Sequence, residues 1–109
     1  MKNEYLGKWH IVAMEKWDQD FVDMEVPGYI LVEDNDAGEF QFGTIFGVMQ
    51  CRIEPSGDAE RLAFLWESDD ETDPLDGRGW AIINEEGQLE GRLYFHDGAD
   101  SGFTAEKTT

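Results

Sequence analysis

Residues 66 to 80, WESDDETDPLDGRGW, place six carboxylates within ten consecutive positions. Carboxylates at this density could bind a divalent cation, because hard cations need several converging oxygens. The alternating acids of 69–73 resemble the first ligands of an EF-hand. However, Pro74 and Trp80 then occupy the positions that require a glycine and a bidentate glutamate. The segment is therefore not an EF-hand, and the alternatives are a weaker divalent-cation site or a solvated loop. No cofactor or metal is expected.

Arg78 stands between two glycines, next to the acidic run and Trp80, and is one of only eight basic residues. A planar guanidinium binds carboxylate and phosphate groups in a forked geometry. Two interpretations follow. Arg78 either neutralises its own acidic loop, or it is a fixed cation that receives the carboxylate or phosphate of a ligand.

His96, Asp97 and Ser101 are the residue types of a nucleophilic triad. The sequence around them has no Gly-x-Ser-x-Gly elbow, and nothing orients the histidine toward the hydroxyl. No other acid, base and nucleophile converge in the pattern. We therefore expect a protein that is not an enzyme.

The elements that must position these residues are strands, because apolar residues alternate with a period of two along most of the chain. Short turns rich in Gly, Asp and Asn separate the segments, which predicts antiparallel pairing of neighbours. Eight such strands can close and remove their exposed edges. We predict an all-β, eight-stranded, up-and-down antiparallel barrel. Its strands are 9–14, 28–33, 39–46, 48–54, 61–67, 79–84, 88–96 and 102–107.

One segment has helical spacing, since Trp17, Phe21 and Met24 recur at i, i+4 and i+7. It predicts one or two turns of helix near residues 17–25, ended by Pro27. In a meander, the first, third, fifth and seventh connections share one end of the barrel. That end would gather the 15–27, 68–78 and 97–101 connections, which makes its mouth the candidate site.

Aromatic residues at even positions are predicted to face inward. An eight-stranded barrel holds only its own side chains or one small ligand, so the rings either fill the lumen or line an apolar pocket. The inward set comprises Phe40, Phe42, Phe64, Trp66, Trp80 and Ile82. The candidate ligand-binding residues at the mouth are Trp17, Phe21, Phe42, Trp66, Arg78 and Trp80.

Length and charge limit the classes of function. A chain of 109 residues forms a single domain, and its net charge of −17 disfavours binding to nucleic acids or to anionic membranes. Cys51 is the only cysteine and follows the strand pattern, so we expect a buried core thiol and no internal disulfide. No apolar run is long enough for a signal or membrane segment, which predicts a cytoplasmic protein.

Gly7-Lys8-Trp9, directly before the first strand, resembles the Gly-x-Trp signature of lipocalins and their calycin relatives. The resemblance implies that the tryptophan plugs the closed end of the barrel. It also implies that Lys107, late in the last strand, packs over the indole ring. The segments WDQDFVDMEVPGYI, GEFQFG, DGRGWA and HDGADSGF further resemble a small uncharacterised bacterial protein family with a lipocalin-like barrel. That resemblance implies no activity.

Two functions are compatible with these features. The first is non-enzymatic binding of a small apolar or anionic ligand at the mouth with the long loops. The alternative is a protein-interaction module, in which the acidic loops attract and bind a basic protein partner.

Overall fold

The computed structural model describes residues 4–68 and 74–108, and in it eight strands form one closed antiparallel barrel in simple sequence order. The predicted up-and-down barrel is therefore confirmed. The elements are β1 (Gly7–Met14), α1 (Gln19–Val22), β2 (Tyr29–Val32), β3 (Ala37–Phe42), β4 (Ile45–Ser56), β5 (Ala59–Ser68), β6 (Asp76–Ile83), β7 (Leu89–Phe95) and β8 (Asp100–Thr108). Within the described residues, no helix has the length and apolarity needed to cross a bilayer.

The turn between β3 and β4 differs from the prediction that residues 39–46 form one strand. Gly43 has a φ of 57°, and the chain reverses there so that Phe42 pairs with Ile45. A glycine tolerates this left-handed backbone at no steric cost. A side chain at Gly43 would also collide with the ring of Phe21. The reversal thus falls at Gly43, whereas Gly47 lies inside β4.

Trp9 and Lys107 close one end of the barrel as the lipocalin resemblance implies. The indole is 2% exposed, and its Nε1 donates to the carbonyl of Tyr5 at 2.9 Å. Lys107 Nζ lies 4.7 Å from the centre of the indole ring and donates to the carbonyl of Leu6 at 2.7 Å. Gly7 has a φ of 116°, and a Cβ there would lie 2.7 Å from Lys107 Cε. The architecture is compatible with a lipocalin-like fold.

Strand β6 has the opposite facing to the one predicted, so the inward placement of Trp80 and Ile82 is wrong. Gly79 and Ala81 are the buried positions, and Trp80 pairs on the outer face with Ala63. A side chain at Gly79 would collide with the ring of Phe64. The rings of β5 fill the space in front of β6, so only small residues fit on its inner face.

Cys51 is buried, as predicted. Burial, with the charge of Asp36 in addition, raises the pKa of its thiol to about 11. The thiolate is the reactive form of cysteine, so this thiol is inert near neutral pH.

Replacing Lys107 by alanine should destabilise the barrel by about 1–2 kcal/mol, since it removes a cation–π contact and a charged hydrogen bond. The measurement is urea unfolding followed by tryptophan fluorescence. Lys16→Ala is the matched control, because Lys16 is exposed and its backbone, not its ammonium, makes the hydrogen bond to Ser101. Equal stability losses in the two variants would contradict the closure of this end by Lys107.

Gly79→Ala should cost about 1–3 kcal/mol, because the added methyl overpacks against the Phe64 ring. Gly102→Ala is the control, since its Cβ would make only ordinary contacts, the nearest at 3.5 Å to Arg92. Chemical denaturation of both variants tests the facing of β6. Phe64→Leu should rescue Gly79→Ala only in part, because the carbonyl oxygen of Arg92 would also lie 2.9 Å from the added methyl. A harmless Gly79→Ala would show that β6 faces the other way.

Candidate functional site

The described parts of the long connections lie at one end of the barrel, as predicted. The ring of Trp17, from the β1–β2 connection, lies 4.9 Å from the ring of Phe42 and 5.8 Å from that of Phe95, at the end of β7. The backbone N–H of Lys16 donates to Ser101 Oγ in β8 at 3.2 Å. The acidic positions 69–73, which include the proposed cation ligands, lie outside the described residues.

The helical segment over this mouth is one turn, Gln19–Val22, which is shorter than the predicted 17–25. Asp18 is its N-cap and accepts from the backbone N–H of Phe21 at 3.0 Å. Asp23 ends the helix, and its side chain binds the segment that leads to β2. Its carboxylate accepts from Gly28 N at 2.8 Å and from Gln19 Nε2 at 2.9 Å. The side chains of Asp18 and Asp23 therefore replace helical hydrogen bonds that a longer helix would have made.

Four of the six predicted site residues come together at the mouth, where they form an aromatic cluster. Ring centres of neighbours lie 4.9–6.4 Å apart, mostly tilted or edge to face. Trp66 Nε1 donates to the carbonyl of Tyr94 at 3.2 Å, which satisfies its only donor. The cluster consists of Trp17, Phe21, Phe40, Phe42, Trp66 and Phe95.

The lumen below this cluster is filled. Its interior cavity measures about 10 Å³ and is lined entirely by Ile, Met, Phe and Leu side chains. A cavity of this size holds about one water molecule, and an apolar one stays dry. The prediction left open whether the rings fill the lumen or line a pocket. The described residues fill the lumen, so the rings at the mouth belong to the hydrophobic core.

Arg78 and Trp80 lie apart from the mouth cluster, on the outer face of the barrel. The guanidinium of Arg78 is exposed and lies 4.4 Å from the centre of the Tyr94 ring. Trp80 is half-buried, with the Arg61 guanidinium 5.6 Å from its ring centre. The predicted site thus divides into a packed aromatic cluster and an outer cationic surface.

An open groove of about 530 Å³ occupies this outer surface of β4, β5 and β6. Ala63 forms its floor, because the register places Arg52 on one side of this small residue and Trp80 on the other. Arg61 and Arg78 also line it, together with the carboxylates of Asp36 and Glu54. The volume lies within the range of small-molecule sites, roughly 300–1,000 Å³. We call these residues the arginine groove.

The arginine groove belongs to a wider face on which all the arginines of the chain lie. The sequence contains four arginines, and all four lie on this side of the barrel, one on each of the consecutive strands β4 to β7. The fourth, Arg92, pairs with Trp80 across the sheet and is held by Asp100 at 2.6 Å and Glu15 at 3.0 Å. The four arginines therefore share one side of the barrel, where Glu15, Glu54 and Asp100 pair with three of them.

Among the described residues, the carboxylates near the groove pair with Arg52 and Arg61 but not with Arg78. Glu54 Oε1 accepts from Arg61 Nε at 2.8 Å, and its other oxygen lies 3.3 Å from Arg52 Nη2. The hydrogen bond from Arg61, with the charges of both arginines, outweighs desolvation and lowers the pKa of Glu54. Among residues 4–68 and 74–108, Arg78 has no ion pair with a carboxylate and makes only the ring contact with Tyr94.

The triad residues are not arranged for catalysis. Ser101 is fully buried, and its hydroxyl donates to the carbonyl of Gly102 at 2.9 Å. The His96 side chain is 85% exposed, and its Nδ1 lies 4.0 Å from a carboxylate oxygen of Asp76. Within the described ranges, no three His, Cys, Asp or Glu side chains are grouped to hold a metal ion.

Sequence reasoning found Arg78 and Trp80 but missed Arg52, Arg61 and Ala63. A signal was present, because each of these three alternates with a buried neighbour of the strands β4 and β5 and must face outward. Successive arginines of the groove are 9 and 17 positions apart in the sequence, and only the pairing register brings them together.

Fold and site together define the class of molecule: a filled, closed eight-stranded antiparallel barrel with an arginine groove on its outer surface. Comparisons of the chain with protein-family models, curated proteins and solved structures gave no match. The fold and the side chains themselves therefore carry the functional argument.

Asp23→Asn should make the free energy of unfolding less dependent on pH at acidic pH. Burial opposes ionisation of Asp23, but hydrogen bonds from Gln19, Gly28 and His10 outweigh it and lower the pKa of the carboxyl. A lowered folded-state pKa adds stability above the ordinary pKa, and this stability is lost as the pH falls through the lowered value. Urea unfolding from pH 7 to pH 3 measures it, with Asp20→Asn as control. Parallel profiles for the wild type and Asp23→Asn would contradict a stabilising role for the hydrogen bonds of the Asp23 carboxylate.

Proposed function

We propose that this protein is a non-enzymatic binding module whose ligand carries an anionic group, and that the arginine groove receives that group. The observation that carries the proposal is the convergence of Arg52, Arg61 and Arg78 around the floor at Ala63, with Trp80 as one wall. Guanidinium groups bind carboxylates and phosphates in forked pairs, and an indole adds a flat apolar contact.

The filled lumen supports a surface site over a site inside the barrel. An interior of about 10 Å³ admits no ligand larger than water, whereas the outer groove offers about 530 Å³. Arg78, which has no carboxylate partner among the described residues, offers its donors at the rim. Of the predicted site residues, Arg78 and Trp80 therefore stay in the proposal, and the other four act in packing.

We also propose that the protein belongs to a small bacterial family related to the lipocalins, and that it is cytoplasmic. The relationship is supported by Gly7-Lys8-Trp9 and by Lys107 over the indole ring. A binding role agrees with that kinship, although the site proposed lies outside the lumen.

The acidic interaction module is the second candidate function. In it, exposed carboxylates such as Asp18 and Asp20 at the mouth attract a basic protein partner. The net charge of −17 favours this candidate and also supports the prediction that nucleic acids are not bound.

Phenyl phosphate, a flat ring with one phosphate, is a suitable probe for the groove. In a titration followed by amide chemical shifts, we expect the largest changes on the outer residues of β4–β6. Arg78→Gln should weaken binding about tenfold, since a charge-assisted hydrogen bond contributes about 1.5 kcal/mol or more. Glu54→Gln should strengthen binding, because it releases Arg61 and Arg52 from an internal carboxylate.

Two control variants separate a local effect from the change in net charge. Lys16→Gln removes a positive charge that does not line the groove, and Glu25→Gln removes a negative charge from the exposed β1–β2 connection. Both should leave the affinity for phenyl phosphate within about twofold, since a distant exposed charge is screened at physiological salt. Saturation shifts centred on the mouth, or equal effects of Arg78→Gln and Lys16→Gln, would rule out the arginine groove.

A further inference from the structure

Side chains of both charges line the arginine groove, and three of the five charged ones pair with each other. Glu54 Oε1 accepts from Arg61 Nε at 2.8 Å, and its other oxygen lies 3.3 Å from Arg52 Nη2. The two that stay outside this group are Arg78 and Asp36, whose charges are opposite. Within the part of the chain that the structure describes, neither side chain forms an ion pair. The groove therefore offers a ligand one cation and one anion.

Asp36 is held beside β4, in the turn that leads into β3. Its carbonyl oxygen accepts from the backbone N–H of Cys51 at 2.8 Å, and its φ is 65°. Aspartate and asparagine are the residue types, apart from glycine, that most often adopt this left-handed backbone. The side chain of Asp36 is exposed and lines the groove. The strand pairing thus places its carboxylate at the β4 side of the groove.

Arg78 lies at the opposite side of the same groove. Cys51 pairs with Phe64 on β5, and Phe64 pairs with Gly79, the neighbour of Arg78 on β6. Three strand spacings therefore separate the backbones of Asp36 and Arg78, which is about 14 Å. The two side chains shorten this distance. A ligand that contacts both must carry its own two charges at separate ends.

Apolar side chains lie between the two charges. Leu65 on β5 is 61% exposed, and the register places it between Gln50 on β4 and Arg78 on β6. Ala63 and Trp80 continue this apolar surface along β5 and β6. An exposed leucine alone is ordinary. Here it is flanked by an anion on one side and a cation on the other, which gives the surface a specific character.

We infer that the ligand of the arginine groove is a small zwitterion with an apolar middle, of the class of a free dipeptide. Its carboxylate binds Arg78, its ammonium group binds Asp36, and its apolar side chain covers Leu65. This inference rests on the proposed function, because the carboxylate is the anionic group proposed there, and it adds the cationic group. An extended dipeptide spans about 7 Å. A free amino acid, with both charges on one carbon, spans much less of the distance between Asp36 and Arg78.

The mixed lining favours a zwitterion over a ligand of one charge. A purely anionic ligand would meet the carboxylates of Asp36 and Glu54 in the same groove, and a purely cationic one would meet the guanidiniums. A zwitterion places each of its charges beside an opposite one. It also has no net charge, so the net charge of −17 on the protein does not slow its approach.

Three related compounds test the inference by amide chemical-shift titration of the full chain. Glycyl-phenylalanine has both charges, its N-acetyl derivative lacks the ammonium group, and its C-terminal amide lacks the carboxylate. The wild-type protein should bind the free dipeptide about fivefold more tightly than either blocked form, the gain expected from one exposed ion pair. The largest shifts should fall on the outer residues of β4–β6.

Asp36→Asn assigns the contact with the ammonium group. Asparagine keeps the size of the side chain and accepts the left-handed backbone at this position. The preference for the free dipeptide over its N-acetyl form should vanish, while the affinity for phenyl phosphate stays the same or rises. Asp58→Asn is the matched control and should keep the fivefold preference. It makes the same change of charge in the exposed turn between β4 and β5, outside the lining of the groove.

The outcomes separate the two proposals. If phenyl phosphate binds in the groove but the free and N-acetyl dipeptides bind equally, the zwitterion inference is wrong and the proposed function stands. Loss of the preference in Asp58→Asn as well would assign the effect to net charge and would also overturn the inference. If neither phenyl phosphate nor any dipeptide shifts the β4–β6 resonances, both proposals are wrong.

Discussion

The interior width of an eight-stranded barrel is the constraint on which the rest of this structure depends. Such a barrel is just wide enough for its own side chains. Here Phe64, Trp66 and Phe40 enter from two strands, so β6, the neighbour of β5, must contribute almost no volume. Gly77, Gly79 and Ala81 meet that requirement on β6. Their outward neighbours Arg78 and Trp80 are consequently placed on the surface, where they become available to a ligand.

Each end of the barrel is closed by an aromatic group held by polar contacts. At one end Trp9 lies under Lys107, whose ammonium also donates to the carbonyl of Leu6. At the other, Trp17 lies on Phe42 and Phe95, and Asp23 in the same connection accepts a hydrogen bond from the backbone N–H of Gly28. With both ends closed and the lumen filled, the interior has no room for a ligand, which is why the proposed site lies on the outer surface.

Much of the fold could be predicted from the sequence, because alternation of apolar residues reports strands and short turns report antiparallel neighbours. The end plug at Trp9 was equally accessible through the Gly-x-Trp signature. The facing of β6 was not. Alternation shows which residues share a face, but not which face is inside, and aromatic residues lie on both faces of β6 and its neighbours. That choice depends on the volume already taken by Phe64 and Trp66, which is a three-dimensional quantity.

The groove was harder to predict, since its arginines are far apart in the sequence and meet only through the register of β4, β5 and β6. Its electrostatics also differ from what the total charge suggests. At physiological salt, exposed charges are largely screened beyond ~8 Å, so a ligand in contact with Arg78 experiences mainly the groove and not the net charge of −17. The net charge acts earlier, during approach, and slows the encounter with any anion. Glu54 adds a local competitor, because its carboxylate already occupies Arg61 and Arg52. An isolated anion would therefore gain little beyond Arg78, and tight binding requires a ligand that also covers apolar surface.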